Sequence, residues 1–283
     1  MSTAILLISS PDQKGITAAV TNFIYQNNGN IEHADQHIDS NLNIFFMRIE
    51  WSLEDFSIPP SKLKTAFKPL ADKFSMDWSL HFSGEKEKMA IFVSNKYHCL
   101  YDLLHKYKQG YLRCKIPLII SNHRQTKPIA DYFNIPFFYS FKNSKSKKKA
   151  EAKEISLLKK EKIDSIVLAR YMQIFGKNFV DNFRNKVINI HHSFLPAFAG
   201  KNPYRQAYRR GVKIIGATSH YVTEKLDKGP IIQQGTTGIS HRDSLLDLKH
   251  KGQDLEKSVL SRAVQLHLDK KILVYKNKTV VFD

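Results

Sequence analysis

Hydrophobic and polar residues alternate along the first third of the chain in two patterns, one typical of strands and one typical of helices. The predicted elements, in chain order, are residues 4–9 (strand), 16–28 (helix), 31–37 (strand), 44–51 (strand), 62–74 (helix) and 76–82 (strand). The order βαββαβ is that of a ferredoxin-like fold. We therefore predict a small α+β domain over residues 1–83.

A different pattern begins after a short charged linker at residues 84–88. Apolar strands recur from there on, and helical stretches lie between several of them. The predicted strands are residues 89–94, 116–121, 135–139, 163–169, 186–190 and 214–222. Strands that alternate with helices form a mostly parallel α/β sheet, whose ligands bind beyond the carboxyl ends of the strands. A helix at 254–267 and a hairpin at 270–282 complete the second predicted domain, residues 89–283.

Composition favours a reduced, cytoplasmic protein. No apolar run approaches the length of a membrane span, so no membrane association is expected. The first eight residues lack the positively charged start of a signal peptide and resemble a buried strand instead. The two cysteines, Cys99 and Cys114, do not have metal-ligand spacing and need not pair.

The formal net charge of +18 raises the question of a nucleic-acid partner. Residues 1–83 hold six Lys or Arg and nine Asp or Glu, so the positive excess belongs to the second domain. Its densest run, residues 142–149, has no interleaved aromatic residues and no nucleic-acid motif. We interpret this run as a solvated loop and helix start, with attraction of an anionic small molecule as the second interpretation and nucleic acid as the third.

The strongest chemical signal is the run VINIHHSFLPAF at residues 187–198. Side chains two residues apart in a strand point the same way, so Asn189 and His191 should project together from a strand end. An amide donor beside an imidazole suits a carbonyl oxygen that becomes negative during attack. Further along, Asp227 precedes Gly229 at a predicted turn. Taken alone, the tripeptide Asn-Ile-His also fits a strand end with two solvated polar residues.

This run, together with residues 200–204 and 216–222, closely resembles the folate-dependent formyltransferase family, and its doubled histidine resembles the formyltetrahydrofolate deformylase branch. The resemblance implies a Rossmann-like catalytic domain that hydrolyses 10-formyltetrahydrofolate to formate and tetrahydrofolate, with no metal and no cofactor. It implies that Asn189 and protonated His191 stabilise the oxyanion. Asp227 would pair with His191 and position the attacking water, whose proton passes either to Asp227 or to solvent.

The same resemblance implies a slot for the pterin ring, built from two loops. Its residues would be Leu168, Met172 and Phe175 on one side and Val222, Thr223 and Glu224 on the other. Any one of the apolar residues also fits an ordinary core position. His220 could support the site from the adjacent strand or be a hydrogen-bonded core histidine. A folate with its glutamate tail is an anion of the kind that the positive charge would attract.

The N-terminal domain resembles an ACT domain, a regulatory module that commonly binds small amino acids. Three stretches carry the resemblance: residues 11–16, 35–39 and 45–48. It implies an amino-acid effector, with methionine or glycine as first candidates, near Asp12, Lys14, Gly15 and Asn30. The alternative is a domain that only mediates assembly. Because ACT-like sheets expose edges or faces, we expect a homo-oligomer in either case.

The first loop of the second domain bears on the acceptor of the formyl group. A phosphate-bearing amine would favour a glycine-rich loop, whereas residues 93–100 contain no glycine and carry Tyr97 and His98. This loop resembles the deformylases and favours water as the acceptor. The expected role is therefore to supply formate for purine biosynthesis and to balance folate pools. Two alternatives remain: formyl transfer to an amine, and a catalytically silent folate or amino-acid sensor.

Overall fold

The computed structural model describes residues 2–143, 145–196 and 203–283. The chain divides into two compact units, the first of which runs to Lys86 and the second from Glu87 to Leu268. The first unit also takes in Asp269–Tyr275 and Val280–Asp283, while Lys276–Thr279 belongs to the second. The domains predicted from the sequence, residues 1–83 and 89–283, placed these C-terminal residues in the second domain instead.

The N-terminal part of the first unit confirms the ferredoxin-like prediction. Its elements are β1 (Thr3–Pro11), α1 (Ile16–Gln26), β2 (Ile31–Asp39), β3 (Ile44–Ser52), α2 (Pro60–Lys73) and β4 (Asp77–Phe82). The sheet has the order β2-β3-β1-β4, and every neighbouring pair is antiparallel. Both β2 and β4 are therefore edge strands.

Both faces of the central strand β1 are buried, which explains its continuous apolar sequence. Leu6 and Ile8 belong to the core that forms with α1 and α2. Leu7, which points to the opposite face, packs with Leu273 and Phe282 of the C-terminal return. Arg48 ties this return to the sheet, because its Nε donates to the carbonyl oxygen of Lys270 at 3.0 Å.

The second unit contains a seven-stranded sheet. Its elements are β5 (Glu87–Val93), α3 (His98–Lys108), β6 (Cys114–Ser121), a 3-10 turn (Arg124–Thr126), α4 (Lys127–Tyr132), β7 (Phe137–Tyr139), α5 (Lys147–Lys160), β8 (Ser165–Ala169), α6 (Lys177–Asn182), β9 (Val187–His191), α7 (Pro203–Arg210), β10 (Ile214–Tyr221), β11 (Ile231–Gly238) and α8 (Leu245–Leu268). The chain closes with the hairpin of β12 (Ile272–Tyr275) and β13 (Lys278–Val281).

The order of this sheet is β11-β10-β9-β8-β5-β6-β7. Strands β5 to β9 pair in parallel, which confirms the prediction of a mostly parallel sheet. Strands β10 and β11 instead run antiparallel and form one edge. Strand β11 was not predicted from the sequence, because its residues are mostly polar and half-exposed, as suits an edge strand.

The last helix, α8, begins nine residues before the predicted start at residue 254. Gly252, a poor helix former, lies within the added turns. A Cβ at this position would lie 2.3 Å from the ring of Tyr204, so glycine is needed for packing and the helix continues through it. In the part of the chain that the structure describes, no helix has the length and apolar composition of a membrane span.

Candidate active site

The candidate site lies across three neighbouring strands, and its polar strand residues come from two of them, β9 and β10. Asn189 is in β9, where it pairs with Leu168 of β8 on one side and with His220 of β10 on the other. His191 is the last residue of β9. The site is therefore at the carboxyl end of a parallel strand, where ligands bind in open α/β sheets.

Asp227 reaches this site from the turn between β10 and β11. Its φ of 53° lies in the left-handed region, which is uncommon for a residue with a side chain. Two residues on, a Cβ at Gly229 would lie 1.8 Å from the carbonyl oxygen of Tyr221, so only glycine fits there. The turn thus presses closely against β10, and this close approach delivers the carboxylate to the neighbouring strand.

The structure brings Asn189, His191 and Asp227 together, with His220 between them. Asp227 Oδ2 lies 3.2 Å from His191 Nδ1, and Asp227 Oδ1 lies 3.7 Å from His220 Nε2. Asn189 Nδ2 lies 3.3 Å from the same nitrogen of His220. His220 is fully buried and thus serves both as a packed core residue and as a support of the site.

Hydrogen-bond partners assign the protons of both imidazoles. His220 Nδ1 lies 2.9 Å from the carbonyl oxygen of Tyr221, which can only accept, so Nδ1 carries a hydrogen. In the neutral ring, Nε2 then accepts from the amide of Asn189; in the protonated ring, Nε2 carries a hydrogen that faces the carboxylate of Asp227. His191 Nδ1 faces the carboxylate and donates to it, while its Nε2 is buried without a hydrogen-bond partner among the described residues.

The carboxyl of Asp227 stays ionised. Burial raises its pKa, but hydrogen bonds from His191 and His220 and the charges of the two imidazoles lower it by more. The net result is a pKa well below the usual value of an aspartic acid. Asp227 is therefore a fixed negative charge beside two rings that can carry protons.

These residues form the polar wall of a cavity of about 580 Å³. All six residues predicted for the pterin slot line the same cavity: Leu168, Met172, Phe175, Val222, Thr223 and Glu224. Leu168 and Phe175 also belong to the domain core, so these two residues both line the cavity and pack in the core. Eight further residues line the cavity and were not predicted to form the slot: Arg170, Tyr171, Gln173, Ile174, Ile190, His192, His220 and Leu226.

Buried charged residues contact the loop between β8 and α6, which forms one side of this cavity. The carboxylate of Glu151 accepts from the backbone N–H of Gly176, with both oxygens at 3.2 Å. Lys142 Nζ lies 4.4 Å from the centre of the Phe175 ring and pairs with Glu154 at 2.7 Å. Burial lowers the pKa of Lys142 and raises the pKa of Glu154. Ser94 accepts from the N–H of Met172 at 3.0 Å.

The position of Lys142 corrects one interpretation of the basic run at residues 142–149. We expected a solvated loop, whereas the side chain of Lys142 is 1% exposed. Its partner Glu154 lies on α5, twelve residues further along the chain, and no local pattern reveals such a pair. Lys145 and Lys148, by contrast, are exposed as expected.

The four residues predicted to bind an effector do not come together within one chain. Asp12, Lys14 and Gly15 lie in the turn before α1, whereas Asn30 follows the other end of that helix. A helix of 11 residues rises about 16 Å, which is too far for one small ligand. Asn30 instead lines an open cavity of about 330 Å³ together with Glu32.

Comparisons with known proteins identify the families of both parts of the chain. Residues 87–264 match the formyl transferase family, and residues 4–54 match the ACT domain. A formyltetrahydrofolate deformylase of Synechocystis sp. is 52% identical over 99% of this chain and 98% of its own length. The chain belongs to the formyltetrahydrofolate deformylase family. A family member of Bacillus subtilis is 46% identical over 98% of this chain and 93% of its own.

Solved structures show the same relation. The crystal structure of a formyltetrahydrofolate deformylase from Pseudomonas syringae has a TM-score of 0.98 and 44% identity, and the match covers 100% of this chain and 95% of that one. A phosphoribosylglycinamide formyltransferase from Anaplasma phagocytophilum has a TM-score of 0.64 and 30% identity, over 70% of this chain and 96% of that one. The deformylase thus shares the whole architecture, and the formyltransferase shares part of it. Residues 197–202, which belong to the stretch that resembles the family, lie outside the described residues.

We predict that Gly229→Ala disrupts the site through the turn that carries Asp227. The new Cβ would overlap the carbonyl oxygen of Tyr221, and overpacking of this kind costs about 1–3 kcal/mol. Thermal unfolding should show a lower midpoint, and NMR should show altered imidazole signals of His191 and His220. Gly238→Ala is the matched control, because a Cβ there meets nothing within 4 Å. Equal behaviour of the two variants would contradict the role of this turn.

Proposed function

We propose that this protein hydrolyses 10-formyltetrahydrofolate to formate and tetrahydrofolate. The observation that carries the proposal is the contact of Asp227 with His191, beside Asn189, on the wall of a cavity that is otherwise largely apolar. Such a cavity suits the flat pterin ring, and the three polar residues lie where the formyl group would be placed. The full-length similarity to formyltetrahydrofolate deformylases supports the same reaction.

In the proposed reaction, the oxygen of a water molecule bonds to the formyl carbon, and the formyl oxygen becomes negative. Asn189 Nδ2 has a second hydrogen that does not point to His220, and this hydrogen can donate to the oxyanion. His191 Nε2 can donate to the same oxygen when the ring is protonated. Removal of one such donor commonly lowers the rate by about 10²–10³. The carbon–nitrogen bond then breaks, the folate nitrogen takes a proton, and the new acid releases its proton to give formate.

The low pKa of Asp227 limits the role that its carboxylate can have in the proposed reaction. A strongly stabilised carboxylate accepts a hydrogen bond from water and orients it, but it is a weak base in the resting site. The proposal therefore gives Asp227 two tasks, which are to hold the ring of His191 and to position the water. The water proton leaves through Asp227 as the carbon–oxygen bond forms, or passes directly to solvent.

Water is favoured over an amine as the acceptor by the loop between β5 and α3. The helix begins at His98, whose ring extends to Glu256 and lies 2.7 Å from its carboxylate. Tyr97 stands before it as a bulky residue in place of a glycine. No glycine leaves backbone amides open to a phosphate here, as a phosphorylated amine would require. An assay of formate release with and without an amine acceptor tests this choice, and a silent sensor would release no formate.

We predict that Asp227→Asn nearly abolishes formate release while tetrahydrofolate binding persists. The change keeps the size of the side chain but removes the charge that orients His191 and the water. Asp243→Asn is a suitable control, since Asp243 is likewise held ionised by a hydrogen bond from Lys251 but lies outside the cavity. Formate release by Asp227→Asn near the wild-type rate would show that Asp227 is not the carboxylate of the reaction.

The same variant has a predicted pH dependence. Because the pKa of Asp227 is lower in the folded chain than in the unfolded chain, its charge adds stability above pH of about 4, and this gain disappears as the pH falls through the folded pKa. Denaturant unfolding of Asp227→Asn should therefore show a loss of stability at pH 7 that shrinks below pH 4. A constant difference across this range would contradict the assignment.

We also propose a cellular role for the hydrolysis of 10-formyltetrahydrofolate. Formate released in the cytoplasm would supply purine biosynthesis, and the reaction would return tetrahydrofolate to the one-carbon pool. The folate itself is the substrate, and we propose that the reaction uses no metal ion and no further cofactor.

We also propose that the chain forms a homo-oligomer through the edge strand β2. Seven of the nine residues of β2 are exposed, although its neighbour β3 is almost entirely buried. A long exposed edge with unpaired backbone groups tends to pair with a second strand. A second copy of β2 provides such a strand and extends the sheet across both subunits.

Light scattering should therefore give a mass that is a multiple of 32.7 kDa at micromolar concentration. Ala34→Lys, in the middle of β2, should lower this mass because like charges would meet across the interface. Asp77→Lys, on the opposite edge strand β4, should leave the mass unchanged. A monomer in the unaltered protein would contradict the assembly.

For the ACT domain we propose a small amino acid, with methionine and glycine as first candidates, as an effector at the turn of Asp12, Lys14 and Gly15. The turn opens α1 with Gly15 at φ 92° and without a side-chain cap, so the first helical amides are open to a carboxylate. Such a ligand changes activity only if it binds two arrangements of the protein with different affinity. Calorimetric titration with each of the twenty amino acids should show heat for at least one. No heat and no change in formate release would leave assembly as the role of the domain.

A further inference from the structure

A second cavity, of about 480 Å³, lies against the first in the catalytic unit. Arg170 and His192 line both cavities, so one wall separates the two spaces. The rings of His192 and Tyr204 lie with their centres 5.8 Å apart on the far side of this wall. We call this space the basic cavity, because its lining includes Lys96, Arg205 and Lys249 as well as Arg170.

The basic cavity carries an excess of positive charge that nothing in its own lining neutralises. Its one carboxylate, Glu256, is 1% exposed and accepts from His98 at 2.7 Å and from the hydroxyl of Tyr204. Glu256 also lies 3.3 Å from Nε of Arg170. Lys96, Arg205 and Lys249 have no ion-pair partner among the described residues. A concave space lined by one sign of charge concentrates ions of the opposite sign.

The reaction proposed above produces formate, a small anion that must leave the first cavity. Formate would form beside the ionised carboxylate of Asp227, which repels it. Tetrahydrofolate, still bound, would cover the apolar mouth of the first cavity near Met172 and Leu226, both of which are more than half exposed. Arg170 and His192 form the wall that the first cavity shares with the basic cavity.

We propose that the basic cavity is a release site for formate, so that formate leaves past Arg170 before tetrahydrofolate dissociates. This inference rests on the proposed hydrolysis. In this proposal Arg170 is the cation that formate passes between the two cavities. Its side chain is mostly buried and lines both cavities, and its backbone lies in the left-handed region at φ 60°. The ligand class is a small carboxylate, and the cations beyond Arg170 draw it outward.

The test uses the full chain and a double variant, Arg205→Met with Lys249→Met. Both residues are exposed and lie in the basic cavity alone, so folding and the reaction chemistry should persist. The control is Arg209→Met with Arg210→Met, which removes the same charge from the last turn of α7, outside the lining of the basic cavity. Initial rates of hydrolysis are measured with added formate, and formate binding is measured separately by NMR with carbon-13 formate.

In the unaltered protein, formate should inhibit noncompetitively and tetrahydrofolate competitively with respect to the folate substrate, as follows when formate leaves first. The double variant should weaken formate inhibition and formate binding by about fivefold, and the control variant should not change either. Inhibition by formate that is competitive with folate, or that is equal in the double variant, would overturn the release site.

The binding measurement keeps this proposal separate from the proposed hydrolysis. Formate release by the unaltered protein, combined with formate binding that the double variant does not weaken, would leave the hydrolysis intact and overturn the release site. Absence of formate release would overturn the hydrolysis itself. Inorganic phosphate should compete with formate in the NMR titration, since the cations act on any small anion. Phosphate that binds without displacing formate would also contradict a shared site in the basic cavity.

Discussion

The reversal of the chain after β10 is the constraint on which the site depends. Strand β10 runs antiparallel to β9, so His220 lies opposite Asn189, and the turn that follows β10 returns to the carboxyl end of β9. A parallel strand in this place would end beside β9 but would send its following turn away into a helix. The antiparallel pair, together with the close contact at Gly229, brings an ionised carboxylate within 3.2 Å of a buried imidazole.

Buried carboxylates behind the cavity fix the remaining parts of the site. Glu151 and Glu154 hold the loop that ends in Phe175, the first through a backbone N–H and the second through Lys142. Glu256 holds Arg170 on the opposite side. Buried ion pairs add little net stability, since the loss of hydration offsets their attraction. Their effect here is geometric, because they contact the backbone and side chains that line the cavity.

The central strands of the sheet in the first unit are covered on both faces. Helices α1 and α2 cover one face of its sheet, and residues from the C terminus cover the other at Leu7 and Phe46. Both faces are covered at β1 and β3, whereas the side chains of the edge strand β2 are exposed on both faces. This exposure is the reason for the proposed assembly through β2, while the covering of Leu7 and Phe46 comes from a return of the chain that local sequence does not reveal.

The sequence by itself determined the elements with strong periodicity and the residues that the structure brings together in the candidate site. Alternating and helical patterns gave the βαββαβ order and the parallel strands, and strand phase placed Asn189 and His191 on one face. The family resemblance supplied Asp227 and the slot residues, all of which line the cavity. These features are local or belong to short motifs, so they can be read from neighbouring residues.

Only the tertiary structure decided the features that join distant positions. Strand β11 was not predicted, because an edge strand has a polar exposed side. Helix α8 begins nine residues before its predicted start, and its Gly252 packs against Tyr204 over a separation of 48 residues. Lys142 looked solvated because its partner Glu154 comes from a later helix. Asp12 and Asn30 looked like one site, and a rigid helix separates them. In each case a contact or a separation in space, which no local pattern encodes, decided the outcome.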